Sequence, residues 1–244
     1  MTIRIAVFVL ALLSLAAPSA ARGDGGGVPA PAAPPEVEDR FTKEFPVDAA
    51  DWTSKGTNPY FVLEPGYALV LEGMDDGEAA RLTITVLDDT KTVAGVETRV
   101  VEEREEHAGH VVEISRNYFA LSKRTNDVYY FGEDVDMYRK DVVVGHEGSW
   151  LAGEKGARYG LTMAGTPLLG ARYYQEVAPD IALDRAEVAS LAESITTPGG
   201  AFTKCLNTAE TSGLEKGTEH KVYARGVGLV KEGPLLLVKH GPRK

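Results

Sequence analysis

Arg81-Leu82-Thr83-Ile84-Thr85-Val86 alternates polar and apolar side chains with a period of two, and this stretch decides the fold. Successive side chains of a β-strand point to opposite faces, so the pattern describes a strand with one face on a core and one in water. Working outward, comparable runs occur at Tyr67–Glu72, Val96–Glu105, Val111–Leu121, Val128–Phe131, Val142–His146 and Ala171–Val177. Others follow at Asp184–Leu191, Lys204–Glu210, His220–Ala224 and Leu235–Val238. Turn residues punctuate them, among them Asp88-Asp89, Ala94-Gly95, Ala108-Gly109, Pro198-Gly199-Gly200 and Glu232-Gly233. About eleven short strands with short connections give an all-β, mainly antiparallel fold, a curved meander forming a half-barrel or barrel with little helix.

Two stretches depart from this rhythm. Asp180–Ser194 could be wound into a helix with Ala182, Ala186, Ala189 and Leu191 on one side, yet Asp184–Ala189 alternates as well and its neighbours are strands. A strand is therefore expected there. Gly148–Gly170 carries seven glycines or prolines and only patchy alternation, which describes either a surface loop or an excursion lining the concave face of the sheet. Phe41–Trp52 is expected as a short turn or helix covering one end of the core.

The first residues read as a secretory leader. Arg4 supplies the positive charge, Ile5–Ala17 an apolar segment too short to span a bilayer, and Ser19-Ala20-Ala21 the small residues of a cleavage site. No cysteine follows that would accept a lipid anchor, and no later stretch has the length of a transmembrane helix. Residues 22–40, with Gly23, Gly25 to Gly27 and a proline–alanine run, form a flexible tether, leaving one β-rich domain over 41–244. The expected location is the periplasm or cell exterior. Removing residues 1–21 leaves 223 of 244 residues and changes the formal charge from −10 to −11, since Arg4 is the one charged side chain lost. Such acidity disfavours nucleic acid, whose binding needs clustered Lys and Arg. Cys205 is the single cysteine, so the fold stands without an internal disulfide.

Chemistry-bearing motifs are sparse. Glu133, Asp134 and Asp136 place three carboxylates within four residues, a donor set suited to a hard cation such as calcium, although the twelve-residue EF-hand spacing is missing. Otherwise they make a solvated turn. His107-Ala108-Gly109-His110 could bring two imidazoles to one metal ion across a hairpin. The chain has no G-x-S-x-G elbow, H-E-x-x-H, C-x-x-C, Walker A loop or dinucleotide fingerprint. Mid-chain aromatics are the better lead. Tyr118, Tyr130, Tyr159 and Tyr173 are expected to line a groove for a lipid or other apolar small molecule, with Arg185 as a charged anchor. The plainer alternative is that the rings fill a sheet core and that Arg185 and Glu187, two apart on one face, make an exposed ion pair.

Several segments together carry a resemblance: Asn58-Pro59-Tyr60-Phe61, Ser115-Arg116-Asn117-Tyr118-Phe119-Ala120, Tyr130–Asp136, Thr197–Phe202 and Tyr223–Lys231, which reads YARGVGLVK. The set resembles a group of uncharacterised secreted bacterial β-sheet proteins, and its closing segment resembles exported proteins whose architecture is similar to LolA-like half-barrels. The resemblance implies export and an antiparallel sheet and brings no established activity. The functional expectation is an exported, non-enzymatic binding protein. The alternatives are a carboxylate-dependent or metal-assisted hydrolase and a structural envelope protein.

Overall fold

The computed structural model describes residues 40–243. The leader and nearly all of the tether expected over residues 1–40 lie outside them. Thirteen strands form the continuous path of one sixteen-stranded sheet, to which Trp52–Thr53, Val142–Gly145 and Trp150–Leu151 add short side pairings: β1 (Tyr67–Asp75), β2 (Glu78–Val93), β3 (Val96–His107), β4 (His110–Ser122), β5 (Val128–Arg139), β6 (Arg158–Met163) and β7 (Arg172–Tyr174). The rest are β8 (Glu176–Val177), β9 (Asp184–Thr197), β10 (Gly200–Ser212), β11 (Glu219–Ala224), β12 (Gly228–Glu232) and β13 (Leu235–Pro242). Their order across the sheet is β7-β9-β10-β11-β12-β13-β1-β2-β3-β4-β5-β6-β8, and the pairings are antiparallel. Most neighbours in space are neighbours in sequence, as a meander of hairpins requires.

The two edge strands of that order, β7 and β8, are consecutive in the chain and separated only by Gln175. One segment thus hydrogen-bonds both edges, and the sheet is nearly closed into a barrel. The closing segment crosses so near β6 that a Cβ on Gly160 would lie 2.5 Å from the Gln175 backbone, so that position admits only glycine. A second glycine shapes the wall. Gly132 has φ +132°, and a Cβ there would meet the Trp150 carbonyl oxygen at 2.3 Å. It sits where the β4–β5 register slips between Asn117 and Phe119, a bulge that re-aims the side chains of β5.

Leu82, Ile84 and Val86 do face inward, as their alternation predicts. Cross-strand partners share a face, and the row Leu237–Leu71–Leu82 is wholly buried. The expected strand at Asp184–Leu191 also forms, with Ala186 and Val188 inside and Arg185 and Glu187 outside. The 148–170 excursion contains Trp150–Leu151 and β6, both paired with β5, so it completes the wall rather than looping over it. Ala171–Val177 divides into β7 and β8, and β12 is a strand that alternation alone did not reveal.

Phe41–Trp52 runs along the outside instead of covering an end, with a single 3-10 turn at Ala49–Asp51. Trp52 packs edge-on against Tyr129, Phe131 and Tyr159, at centroid distances of 5.3, 5.3 and 5.6 Å. The end of the barrel is capped by the Thr57–Asn58 and Phe61–Val62 hairpin. Asn58 fixes it: its Oδ1 accepts the Tyr60 N–H at 2.8 Å, and its Nδ2 donates to the Asn126 and Ala164 carbonyls at 2.8 and 3.1 Å. Among the described residues no helix is long and apolar enough to cross a membrane.

Candidate functional site

The barrel walls do not meet at the centre. They leave an open-mouthed cavity of about 180 Å³. Its lining changes character along the strands. Nearest the cap it is apolar, with Tyr60, Phe61, Leu69, Val86, Phe119 and Leu229. Further along it is acidic. On β3 the inward residue opposite Val86 is Val101, the next inward residue, opposite Ile84, is Glu103, and the one opposite Leu82 is Glu105. On β4 Phe119 gives way to Asn117 and then to Ser115 opposite Glu103, with Glu113 opposite Glu105 beyond the cavity lining. Leu229 and Tyr223 give way to Glu232 and Lys221 on β12 and β11.

Six carboxyl groups line this cavity (Glu103, Glu133, Glu176, Asp184, Glu210 and Glu232) against one amine, Lys221. The Lys221 Nζ lies 2.8 Å from Glu232 and 3.5 Å from Glu210. Burial would lower that ammonium, but Glu232 and Glu210 hold it well above the ordinary lysine range. Neither Glu103 nor Glu133 has a cation within 4 Å among the described residues. Burial, followed by the charge of Glu232, pushes Glu103 up to about 7 despite Lys221. Burial, then Glu113 and Glu103, hold Glu133 well above the carboxylate range. Burial also pushes Glu113 up to about 8 and Asp184 to about 6. Glu176 accepts the Asp184 N–H at 2.7 Å and is raised by its burial and by the Asp184 charge. Such groups hold protons that an exposed carboxyl would have lost.

Three polar atoms here have no hydrogen-bond partner: Thr162 Oγ1, Asp184 Oδ1 and the Tyr173 hydroxyl. Thr162 and Asp184 line the cavity. Tyr173 is 3% exposed and shares the inner row of Ala186 and Glu210. Orphaned buried polar atoms are costly and uncommon, so three around one chamber mark it for a polar occupant.

Of the expected ligand contacts, Tyr130 lines the cavity, its hydroxyl donating to Asn117 Oδ1 at 2.6 Å. Tyr118, Tyr159 and Arg185 lie on the outer face. The Tyr118 hydroxyl donates to Asp134 beside Lys91. Tyr159 stacks on Phe131 at 4.8 Å and donates to the Phe45 carbonyl. The Arg185 guanidinium lies 5.0 Å from the Phe41 ring and donates to the Ser212 carbonyl at 3.1 Å.

The expected calcium trio is also divided. Glu133 faces the cavity, whereas Asp134 pairs with Lys91 at 2.8 Å and Asp136 with His146 and Arg116 at 3.0 and 3.2 Å on the outside. Strand alternation separates them, because neighbours in sequence point to opposite faces. His107 bonds Glu105 at 2.8 Å. Among the described residues no group of three or more His, Cys, Asp or Glu side chains could hold a metal ion. Cys205 is buried, and burial pushes its thiol up, away from the reactive thiolate.

The inner carboxyls Glu103, Glu176, Glu210 and Glu232 and the amine Lys221 escaped sequence reading. The phase of Leu82, Ile84 and Val86 was their one available signal, and it needs the strand register to be carried across the sheet. No family model, curated protein or solved structure matches the chain.

Proposed function

We propose that this chain is an exported, non-enzymatic binding protein that holds a small molecule with an apolar portion inside the barrel. The observation that carries the reading is the cavity, whose capped end is lined by Phe61, Leu69, Val86, Phe119 and Leu229. Small-molecule sites are concave, with apolar walls and placed polar groups, and the capped end of this cavity supplies such apolar walls. Tight packing is the rule in protein cores, so apolar side chains facing unfilled space forgo contacts that a ligand would restore. The leader-like residues 1–21 and the resemblance to exported β-sheet proteins support the assignment to the cell envelope or exterior. Of the groups expected to serve a carboxylate-dependent or metal-assisted hydrolase, Glu133 lines the cavity, whereas Asp134, Asp136, His107 and His110 do not, and among the described residues no three ligating side chains converge to hold a metal.

The test is uptake of a fluorescent alkyl-chain probe by the purified chain. Saturable uptake is expected, lost in Val86→Trp, which fills the capped end, and weakened in Leu229→Phe, a smaller change that spares folding. Absence of saturable uptake by the unsubstituted chain would overturn the proposal.

A further inference from the structure

We infer that the ligand carries an amine: an amphipathic ammonium compound whose apolar part lies toward the cap and whose nitrogen lies among Glu103, Glu133 and Asp184. The inference rests on the binding role proposed above and names the chemical class of its ligand.

The inward residues turn from apolar to acidic within one step along β3, from Val101 to Glu103, so a molecule lying along the cavity meets both surfaces. The one lining amine, Lys221, is already held by Glu232 and Glu210, at 2.8 and 3.5 Å, which leaves Glu103 and Glu133 with no cation. A carboxyl removed from water without a partner either stays protonated or draws in a positive charge.

Two hydroxyls and one carboxylate oxygen around the chamber also lack hydrogen-bond partners. The Tyr173 hydroxyl, 3% exposed, has no partner, and neither have Thr162 Oγ1 and Asp184 Oδ1. An ammonium group brings three donors and no acceptor, so it can serve the Asp184 Oδ1 acceptor and the lone pairs of the two hydroxyls. A fatty acid or phosphate head could accept from the two hydroxyls but would bring negative charge beside the lining carboxyls. A bare metal ion fits less well, since no three ligating side chains among the described residues converge on one point.

The test compares n-octylamine, n-octanol and n-octanoate by titration calorimetry on the mature chain at pH 8. Octylamine is expected to bind at least about tenfold more tightly than octanol, and octanoate more weakly than either. The preference of octylamine over octanol should fall to within about twofold in Glu103→Gln/Glu133→Gln. On the unsubstituted chain, octylamine binding should also release protons, read as a heat that varies with the ionisation enthalpy of the buffer. That readout decides the matter should the double variant fail to fold. Equal affinity for amine and alcohol, or tightest binding of octanoate, would overturn the inference and leave the binding role standing. Failure of all three probes to bind would overturn both.

Discussion

The capped and acidic halves of the barrel interior are built from the same strands, two residues apart, yet they stabilise the molecule in opposite ways. The capped half is an apolar surface around Phe119, whose ring stacks on Tyr130 at 4.9 Å and tilts against Phe61 at 5.0 Å. Removing it from water favours folding. The acidic half removes carboxyls from water at a cost that one buried amine offsets only in part. The wall is set by backbone pairing and is indifferent to this change. What a strand-built shell puts inside is therefore free to serve binding at the expense of stability.

The sharpest way to break the comparison is to delete the single cation. Lys221→Met leaves Glu232 and Glu210 buried and unpaired and is expected to cost about 3–5 kcal/mol in denaturant unfolding at pH 8, with a smaller loss at pH 5. A loss below about 1 kcal/mol would mean that water reaches these groups freely. In the capped half, Phe119→Ala should cost about 3 kcal/mol, toward the low end for a large buried ring because one side already faces the cavity.

Proton linkage probes the acidic half as a whole. Folding raises Glu103 and Glu219 to about 7 and Glu113 to about 8 from an ordinary 4.5. Between about pH 4.5 and 8 the folded chain then binds more protons than the unfolded one, so stability falls as pH rises through that window. Lys221 stays charged throughout, and Asp134, held below its usual range chiefly by Lys91 and Tyr118 against its partial burial, titrates below it. The melting temperature should thus be highest near pH 5 and lower by a few degrees at pH 8. Glu103→Gln should flatten that slope, and a slope of the opposite sign would contradict the assignment. The smallest effect belongs to the outer wall. Asp134→Ala with Asp136→Ala should cost no more than about 1 kcal/mol, and millimolar calcium should leave the melting temperature of either protein unchanged.

The difference between the halves also explains what the sequence disclosed. Leu82, Ile84 and Val86 face inward as read, because they alternate with the polar residues Arg81, Thr83 and Thr85. Residues Glu102-Glu103-Arg104-Glu105-Glu106 are charged on both faces, so no periodicity marks Glu103 and Glu105 as the inner pair. At Gly132 the bulge shifts the phase, so that Tyr130 and Glu133, three apart, both reach the cavity. Strict alternation would have put them on opposite faces. Tyr118, Tyr159 and Arg185 were sound as aromatic or charged residues near a sheet, but their face depends on that same register. The closure at Gln175 is a matter of which edges meet, and no local pattern encodes it.

Native mass spectrometry of the chain purified from its native source tests the central claim most directly. The account predicts a small-molecule adduct bearing a basic nitrogen, retained by the unsubstituted chain and absent from Val86→Trp. A bare mass under gentle conditions, unchanged when the chain is offered octylamine or octanol, would contradict it.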